Sequence, residues 1–306
     1  MIKINGFAFW EHHRSGWKVC MEALNKYHSP DGVLFIDYLE DVTRNGRIIP
    51  EPWVGITHNV FRHPVPFINQ LHGPVVDIDL ERMVDLEIWK ANLPLCRGLF
   101  CLCEYNAEFL RSRVNVPVFS VTHPTGKPYC YFSFDMFAAN PTKMIFLIGH
   151  WMRNFQAFYD LQTPWKKVMF CVPTACNYPK LDSLIKPSPT VQRMQRQSDQ
   201  DYDLLLSHNL VFLNLFDCAA CNTVVECIVR HTPVLVNRLP ALEEYLGPAY
   251  PFFYSDLSEA SAMSADLSLV KRAHEYLVAL PKERFAPEYF ARTVIEHIRS
   301  ASCNSA

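Results

Sequence analysis

The sequence predicts an α/β fold with parallel sheets in two domains, and three observations carry that prediction. The first is the stretch NLVFLNLFDCAACNTVVECIVRHTPVLVNRLPALEEYLG, residues 209–247. Its apolar run Leu210 to Leu215 is short and lacks helical caps, so it reads as a buried strand. A small-residue turn, Asp217 to Thr223, leads into apolar residues at helical spacing over Val224 to Val229, and Val234 to Val236 is a second β-branched run. Strand, turn, helix, strand is the parallel crossover of an α/β sheet. The second observation is another strand followed by a Gly-bearing loop, Lys143 to Ile148 and then Gly149 to Asn154. The third is length: 306 residues exceed the size at which one core stops growing, so two domains of roughly 150 residues are expected.

Taken in order, Lys3 to Trp10 reads as an opening strand, and a loop carrying Arg14, Ser15 and Gly16 precedes a helix from Lys18 to Tyr27. Gly32 to Leu39 reads as a strand and Glu40 to Pro52 as a polar loop. Trp53 to Thr57 is a β-run that delivers His58 to its carboxyl end, where α/β folds keep their chemistry. Glu81 to Leu93 has an amphipathic helical pattern stopped by Pro94; Gly98 to Cys103 is a strand and Glu104 to Val114 a helix. From Thr122 to Pro141 the text turns to Pro, Gly, Asn and aromatics without a period, which places the linker at 126–140 between domains 1–125 and 141–285. Lys167 to Val172 is a further strand, and a polar stretch follows with Arg193 and Arg196 on a helix. Pro240 to Tyr245 reads as a short helix, Phe252 to Tyr254 as a last strand, and Leu257 to Leu280 and Pro287 to Arg299 as helices.

The candidate chemistry sits at strand ends. In the central stretch Asn222 or Thr223 is placed to cap the helix, whose first N–H groups and positive dipole end suit a phosphate. Glu226 then falls in the first turn and has two readings: an acceptor for sugar hydroxyls beside that phosphate, or a carboxylate that merely complements the helix dipole. Arg153, just after the Gly149 turn, carries the planar fork that matches phosphate oxygens; its plain alternative is a surface charge. His58 titrates near neutral pH and suits proton handling or a sugar hydroxyl, although a lone His is more often structural. Glu104 opens a helix, which explains a carboxylate there without any site.

The central stretch resembles the donor half of GT-B glycosyltransferases of the retaining, E-x7-E type: Glu226, Cys227, Thr232, Pro233 and Val234 stand where that family has Glu, Ala, Thr or Gly, Pro and Val. The chain departs from the pattern at the first Glu, where Cys218 stands with Asp217 beside it. VGITHN is similar to the family's strand-His segment, and GLFCLCEYNAEFLRSRVNVPVFSVTHPTG to the close of its first domain, with Cys103 replacing the usual Ser and Glu104 in register. The resemblance implies a GT-B fold, two Rossmann-like domains facing each other across a cleft, with a helix at 286–306 crossing back to the first. It implies that Asn222, Thr223 and Val224 hold a donor diphosphate with Arg153 and Gly149, that Glu226 holds the ribose, and that His58 approaches the transferred sugar. It also places the loop with Gly16 near the donor, and Ser15, Arg14 and Glu104 on the acceptor side. The implied activity is metal-independent transfer of a sugar from a nucleotide sugar, itself a substrate rather than a cofactor, to a glycan or other acceptor hydroxyl. Two alternatives stand beside it: an inactive GT-B relative that binds a glycan or a partner, and another nucleotide-sugar enzyme such as an epimerase.

Composition narrows the partners. A net charge of -2 argues against nucleic acid, and the absence of G-x-G-x-x-G after the first strand argues against a dinucleotide oxidoreductase. No basic leader opens the chain and no apolar run approaches the roughly 18 residues of a membrane span. A cytoplasmic protein is therefore expected, with peripheral membrane contact left open. Its eleven cysteines are then expected as thiols, and Cys218-x-x-Cys221 lacks a matching second pair for structural zinc.

Overall fold

The computed structural model describes residues 1–5, 17–62, 79–170 and 188–303. Arg14, Ser15 and Gly16 lie outside the described residues, as does most of the strand expected over Lys3 to Trp10. Among the described residues the first sheet has five strands in the order β1-β2-β3-β4-β5: β1 Ile2–Lys3, β2 Val33–Ile36, β3 Trp53–Thr57, β4 Cys96–Cys101 and β5 Val118–Ser120. Every pairing is parallel. β3 is buried at each position, as a strand covered on both faces must be, and this is why WVGIT does not alternate between apolar and polar residues; its one polar side chain, Thr57, is buried at the strand end.

Side chains leave the strands alternately to the two faces. Phe35, Val54, Ile56 and Phe100 pack under the helices Trp17–Asn25 and Pro287–Cys303. Leu34, Ile36, Trp53 and Leu99 pack under Leu39–Arg44, Leu80–Met83, Glu87–Asn92 and Glu104–Arg111. The chain therefore returns after the second sheet to cover the first.

The second sheet has six strands among the described residues: β6 Met144–Ile148, β7 Lys166–Phe170, β8 Val191–Arg193, β9 Leu210–Leu213, β10 Val234–Asn237 and β11 Phe253–Tyr254, in the order β11-β10-β9-β6-β7-β8. All are parallel. The first strand in sequence lies in the middle and the order reverses between β6 and β9, which is the doubly wound arrangement. In such sheets ligands bind outside the carboxyl ends of the strands at that reversal.

Four expectations change. The stretch from Glu40 is not a simple polar loop: Leu39–Arg44 is helical because Leu39 and Val42 bury against the first sheet, and Glu40 is drawn under with them. The helix expected over 81–93 divides into Leu80–Met83, capped by Asp79, and Glu87–Asn92. Arg193 lies in β8 rather than on a helix, and the helix that follows, Asp199–Leu206, begins after Arg196, capped by Ser198. The long helix expected over 257–280 breaks at Asp266, whose carboxylate accepts the N–H groups of Ser268 and Leu269 and so starts Leu267–Ala279 anew.

Candidate functional site

At the reversal point the loop after β6 meets the loop after β9. Gly149 has φ +79°, a conformation that favours glycine, and a Cβ there would stand 3.2 Å from the Arg153 guanidinium, a tight contact that would press on the arginine. Met152 also lies in the left-handed region at φ 59°. The two loops are stitched by Asn154 N–H to the Asn214 carbonyl at 2.8 Å and Phe216 N–H to the Met152 carbonyl at 3.0 Å. Asn154 then caps the short helix Phe155–Asp160 through its side chain.

Arg153 is buried rather than a surface charge. Its Nε donates to the Ile148 carbonyl at 3.1 Å and Nη1 to the Trp151 carbonyl at 2.7 Å. Nη2 donates to Cys221 Sγ and to Thr223 Oγ1, both at 3.2 Å. These contacts use every guanidinium N–H but one on Nη1. The guanidinium thus lies beside the N-terminus of the helix Asn222–Arg230, tying it to the end of β6.

That helix corrects two expectations. Its N-cap is Cys221, which makes no side-chain capping bond, and Asn222 and Thr223 already lie within the helix. The Thr223 hydroxyl is turned to Arg153 instead of to the helix N–H groups. Glu226 falls beyond the first turn, which contains no acidic residue, so the dipole account of it weakens with distance. It is buried, and its Oε2 accepts the Tyr202 hydroxyl at 2.7 Å. One turn on, Arg230 pairs with Asp203 at 2.6 Å, both buried, and its Nη1 reaches the Glu226 carbonyl at 3.4 Å. Glu226 therefore belongs to a buried polar layer shared with the helix Asp199–Leu206. The side chain of Val224 packs into the core of the second sheet, leaving only its backbone near the helix end.

His58 leaves the carboxyl end of β3 on the other sheet. Its Nε2 lies 3.0 Å from the Asp37 carbonyl; a carbonyl only accepts, so that nitrogen carries the hydrogen. Trp17 stands edge-on to the ring at 4.4 Å and Tyr38 beside it at 4.9 Å. Glu40, which the sequence reading passed over, lies beneath: its Oε1 accepts from Thr57 Oγ1, His58 N and Asn59 N at 2.7, 2.6 and 2.7 Å. Burial pushes its carboxyl above the usual range.

The two sheets meet at their strand ends. Val60, after β3, packs on Met152, with Trp151 and Phe216 against them. Asp217 Oδ2 accepts the Arg62 N–H at 3.2 Å, and burial raises its carboxyl. Tyr245 gives its hydroxyl to the Leu102 carbonyl at 2.6 Å and accepts the His123 N–H at 2.9 Å. Glu244 Oε2 accepts the N–H of Glu104 at 2.7 Å, capping the helix Glu104–Arg111 from the opposite side. The Glu104 carboxylate itself pairs with Arg111, which holds it below the usual range. Asn222, Thr223, Arg153 and Gly149 are thus brought together, Glu226 lies one turn deeper, His58 stands on the facing sheet, and Glu104 engages its own helix. Cys218, eight residues before Glu226, is a buried free thiol pushed up by burial.

No family model and no curated protein matches the sequence. Solved structures do resemble the chain. A UDP-forming alpha,alpha-trehalose-phosphate synthase from Burkholderia xenovorans shares 13% identity at a TM-score of 0.56, over 93% of this chain and 78% of that one. HepE of Anabaena, solved with UDP-glucose, shares 10% identity at 0.62, over 92% of this chain and 82% of that one. The pneumococcal O-GlcNAc transferase GtfA, solved with UDP and GlcNAc, shares 6% at 0.60, over 93% of this chain and 60% of that one. At such identities the likeness concerns the fold: the chain has the GT-B fold, two Rossmann-like units whose strand ends are turned toward one cleft.

Proposed function

We propose that the protein is a glycosyltransferase that moves a sugar from a nucleotide-sugar donor to the hydroxyl of a glycan or other acceptor, without a metal. The observation that carries the reading is the convergence of Arg153 and Thr223 at the N-terminus of Asn222–Arg230, where the second sheet reverses its order. Helix N–H groups and the remaining Nη1 hydrogen of Arg153 offset charge that grows on the departing diphosphate. Glu226 offers its carboxylate to the ribose hydroxyls, and His58 reaches the transferred sugar from the first sheet when the halves close. Gly16, Ser15 and Arg14 are proposed to line the same cleft. The proposed domains are 1–125 and 141–285, joined at 126–140, with 286–306 returning to the first.

A second reading, a GT-B protein that binds a glycan or partner without transfer, has one observation in its favour. Asp217 reaches across the cleft to the Arg62 N–H, and Cys218 beside it offers a buried thiol where the E-x7-E pattern has a carboxylate. The two readings separate in a turnover assay with UDP-, GDP- and ADP-sugars, UDP-sugars first because HepE and GtfA were solved with UDP-glucose and UDP. Release of nucleoside diphosphate that is undiminished by EDTA supports the enzyme. Nucleotide binding with no release from any donor supports the binder.

A further inference from the structure

The helix Leu39–Arg44 carries a carboxyl, Glu40, that is 3% exposed and has no counter-charge in hydrogen-bond contact among the described residues. Among the described residues its side-chain hydrogen bonds fall on one oxygen, Oε1, which takes Thr57 Oγ1, His58 N and Asn59 N at 2.6–2.7 Å. The other, Oε2, is buried without a hydrogen-bond partner. Leaving half of a buried carboxyl unmet costs stability that an apolar residue of similar size would not. Packing alone therefore does not account for Glu40; what it supplies is a fixed point for three consecutive residues at the end of β3. The same segment is gripped from its other side, where Asn106 Nδ2 donates to the Asn59 carbonyl at 2.9 Å and leaves its own Oδ1 buried and unpartnered.

We propose that Glu40, with Asn106, is the positioning residue of the site: it clamps Thr57–Asn59 and so fixes the direction in which β3 presents the His58 imidazole toward the cleft. The inference rests on the reading of His58 given above. A strand end carries no hydrogen-bonded ladder beyond its last residue, and a free N–H pair there would let the ring turn. With both N–H groups and the Thr57 hydroxyl held on one buried oxygen, the ring keeps Nε2–H on the Asp37 carbonyl. Glu40 acts through His58 and touches neither donor nor acceptor.

The test compares Glu40→Gln, Glu40→Leu and Asn106→Ala by NMR of histidine-labelled protein, alongside sugar transfer. Glu40→Gln retains an oxygen for the three donors, so the His58 ring nitrogens should keep the wild-type signature of a fixed Nε2–H tautomer, and transfer should be retained. Glu40→Leu should collapse that signature toward an exchanging imidazole and lower turnover on the order of 10²-fold, the loss that follows a displacement of about 1 Å at a reacting centre. Asn106→Ala, which leaves Glu40 intact, should shift the same signals by a smaller amount and serves if Glu40→Leu does not fold. A folded Glu40→Leu or Asn106→Ala protein with wild-type His58 signals overturns the clamp. The NMR signature needs no substrate, so it judges the clamp alone; full transfer by His58→Ala would instead remove His58 from the site and leave the clamp standing.

Discussion

Arg153 and Thr223 are 70 residues apart in sequence and meet at 3.2 Å, the guanidinium of one strand-end loop donating to the first turn of a helix that follows another strand. This contact joins β6 to β9 where the sheet order reverses, and it makes Arg153 both a structural tie and the cation of the candidate site. Replacing Arg153 by Ala removes the four hydrogen bonds that its buried guanidinium donates to Ile148, Trp151, Cys221 and Thr223, and should cost about 1–3 kcal/mol. Arg153→Lys should recover only part of that loss because it lacks the fork. Urea unfolding of the two variants measures it, and an alanine variant as stable as wild type contradicts the assignment.

Glu226 is held by the Tyr202 hydroxyl, and a Gln in its place still offers an oxygen to that hydroxyl. Glu226→Gln should therefore fold normally but bind a nucleoside diphosphate about 1.5–3 kcal/mol more weakly, the worth of a charged hydrogen bond. Calorimetric titration reads the difference; unchanged affinity removes Glu226 from the ribose.

His58 has its Nε2 committed to the Asp37 carbonyl and its ring against Trp17 and Tyr38. His58→Ala should lower the melting temperature through these lost contacts and, separately, lower turnover by about 10²–10⁴-fold if the imidazole moves a proton in the transition state. Affinity for the bare diphosphate should stay nearly unchanged. A fall in activity that merely tracks the fraction of folded protein assigns His58 to structure alone.

Glu40 gives a pH dependence with a defined sign. Burial raises its carboxyl above 4.5 in the folded state, so between 4.5 and that raised value the folded protein holds a proton that the unfolded chain has released. The stability from that proton is complete below about pH 4.5 and is lost as pH rises through the raised value. Relative to Glu40→Gln, which does not titrate there, the wild type should gain stability as pH falls toward 4.5, by at most about 1.4 kcal/mol per pH unit. A difference that stays flat across that range contradicts it.

The sequence made most of the second sheet legible because β6, β7, β9, β10 and β11 are short apolar runs and the crossover from Leu210 to Val236 is local in the chain, whereas β8, with Gln192 and Arg193 exposed, carries no such run and reads as part of a helix. Trp53 to Thr57 was legible for the same reason, and with it the strand-end place of His58. Other features depend on long-range contacts that no local pattern carries. Glu40 reads as the start of a polar loop until Leu39 and Val42 pull it into the core beside Thr57. Arg153 reads as a phosphate ligand or a surface charge, and nothing local shows that four protein acceptors surround it. Cys221 rather than Asn222 or Thr223 is the N-cap, and the Thr223 hydroxyl that could have capped the helix is engaged by Arg153, a partner from another loop. Tyr202 and Tyr245, whose hydroxyls reach Glu226 and the Leu102 carbonyl, lie 24 and 143 residues from those partners.

The central claim is that the N-terminus of Asn222–Arg230, with Arg153 and Glu226, holds the diphosphate and ribose of a nucleotide sugar. Thermal unfolding with UDP, GDP and ADP tests it most directly, run on wild type and on Glu226→Gln. One nucleotide at about 100 times its dissociation constant should stabilise the wild type by roughly 2.7 kcal/mol, and at the same concentration should stabilise Glu226→Gln much less. No shift with any of the three, or an equal shift in both proteins, contradicts the account.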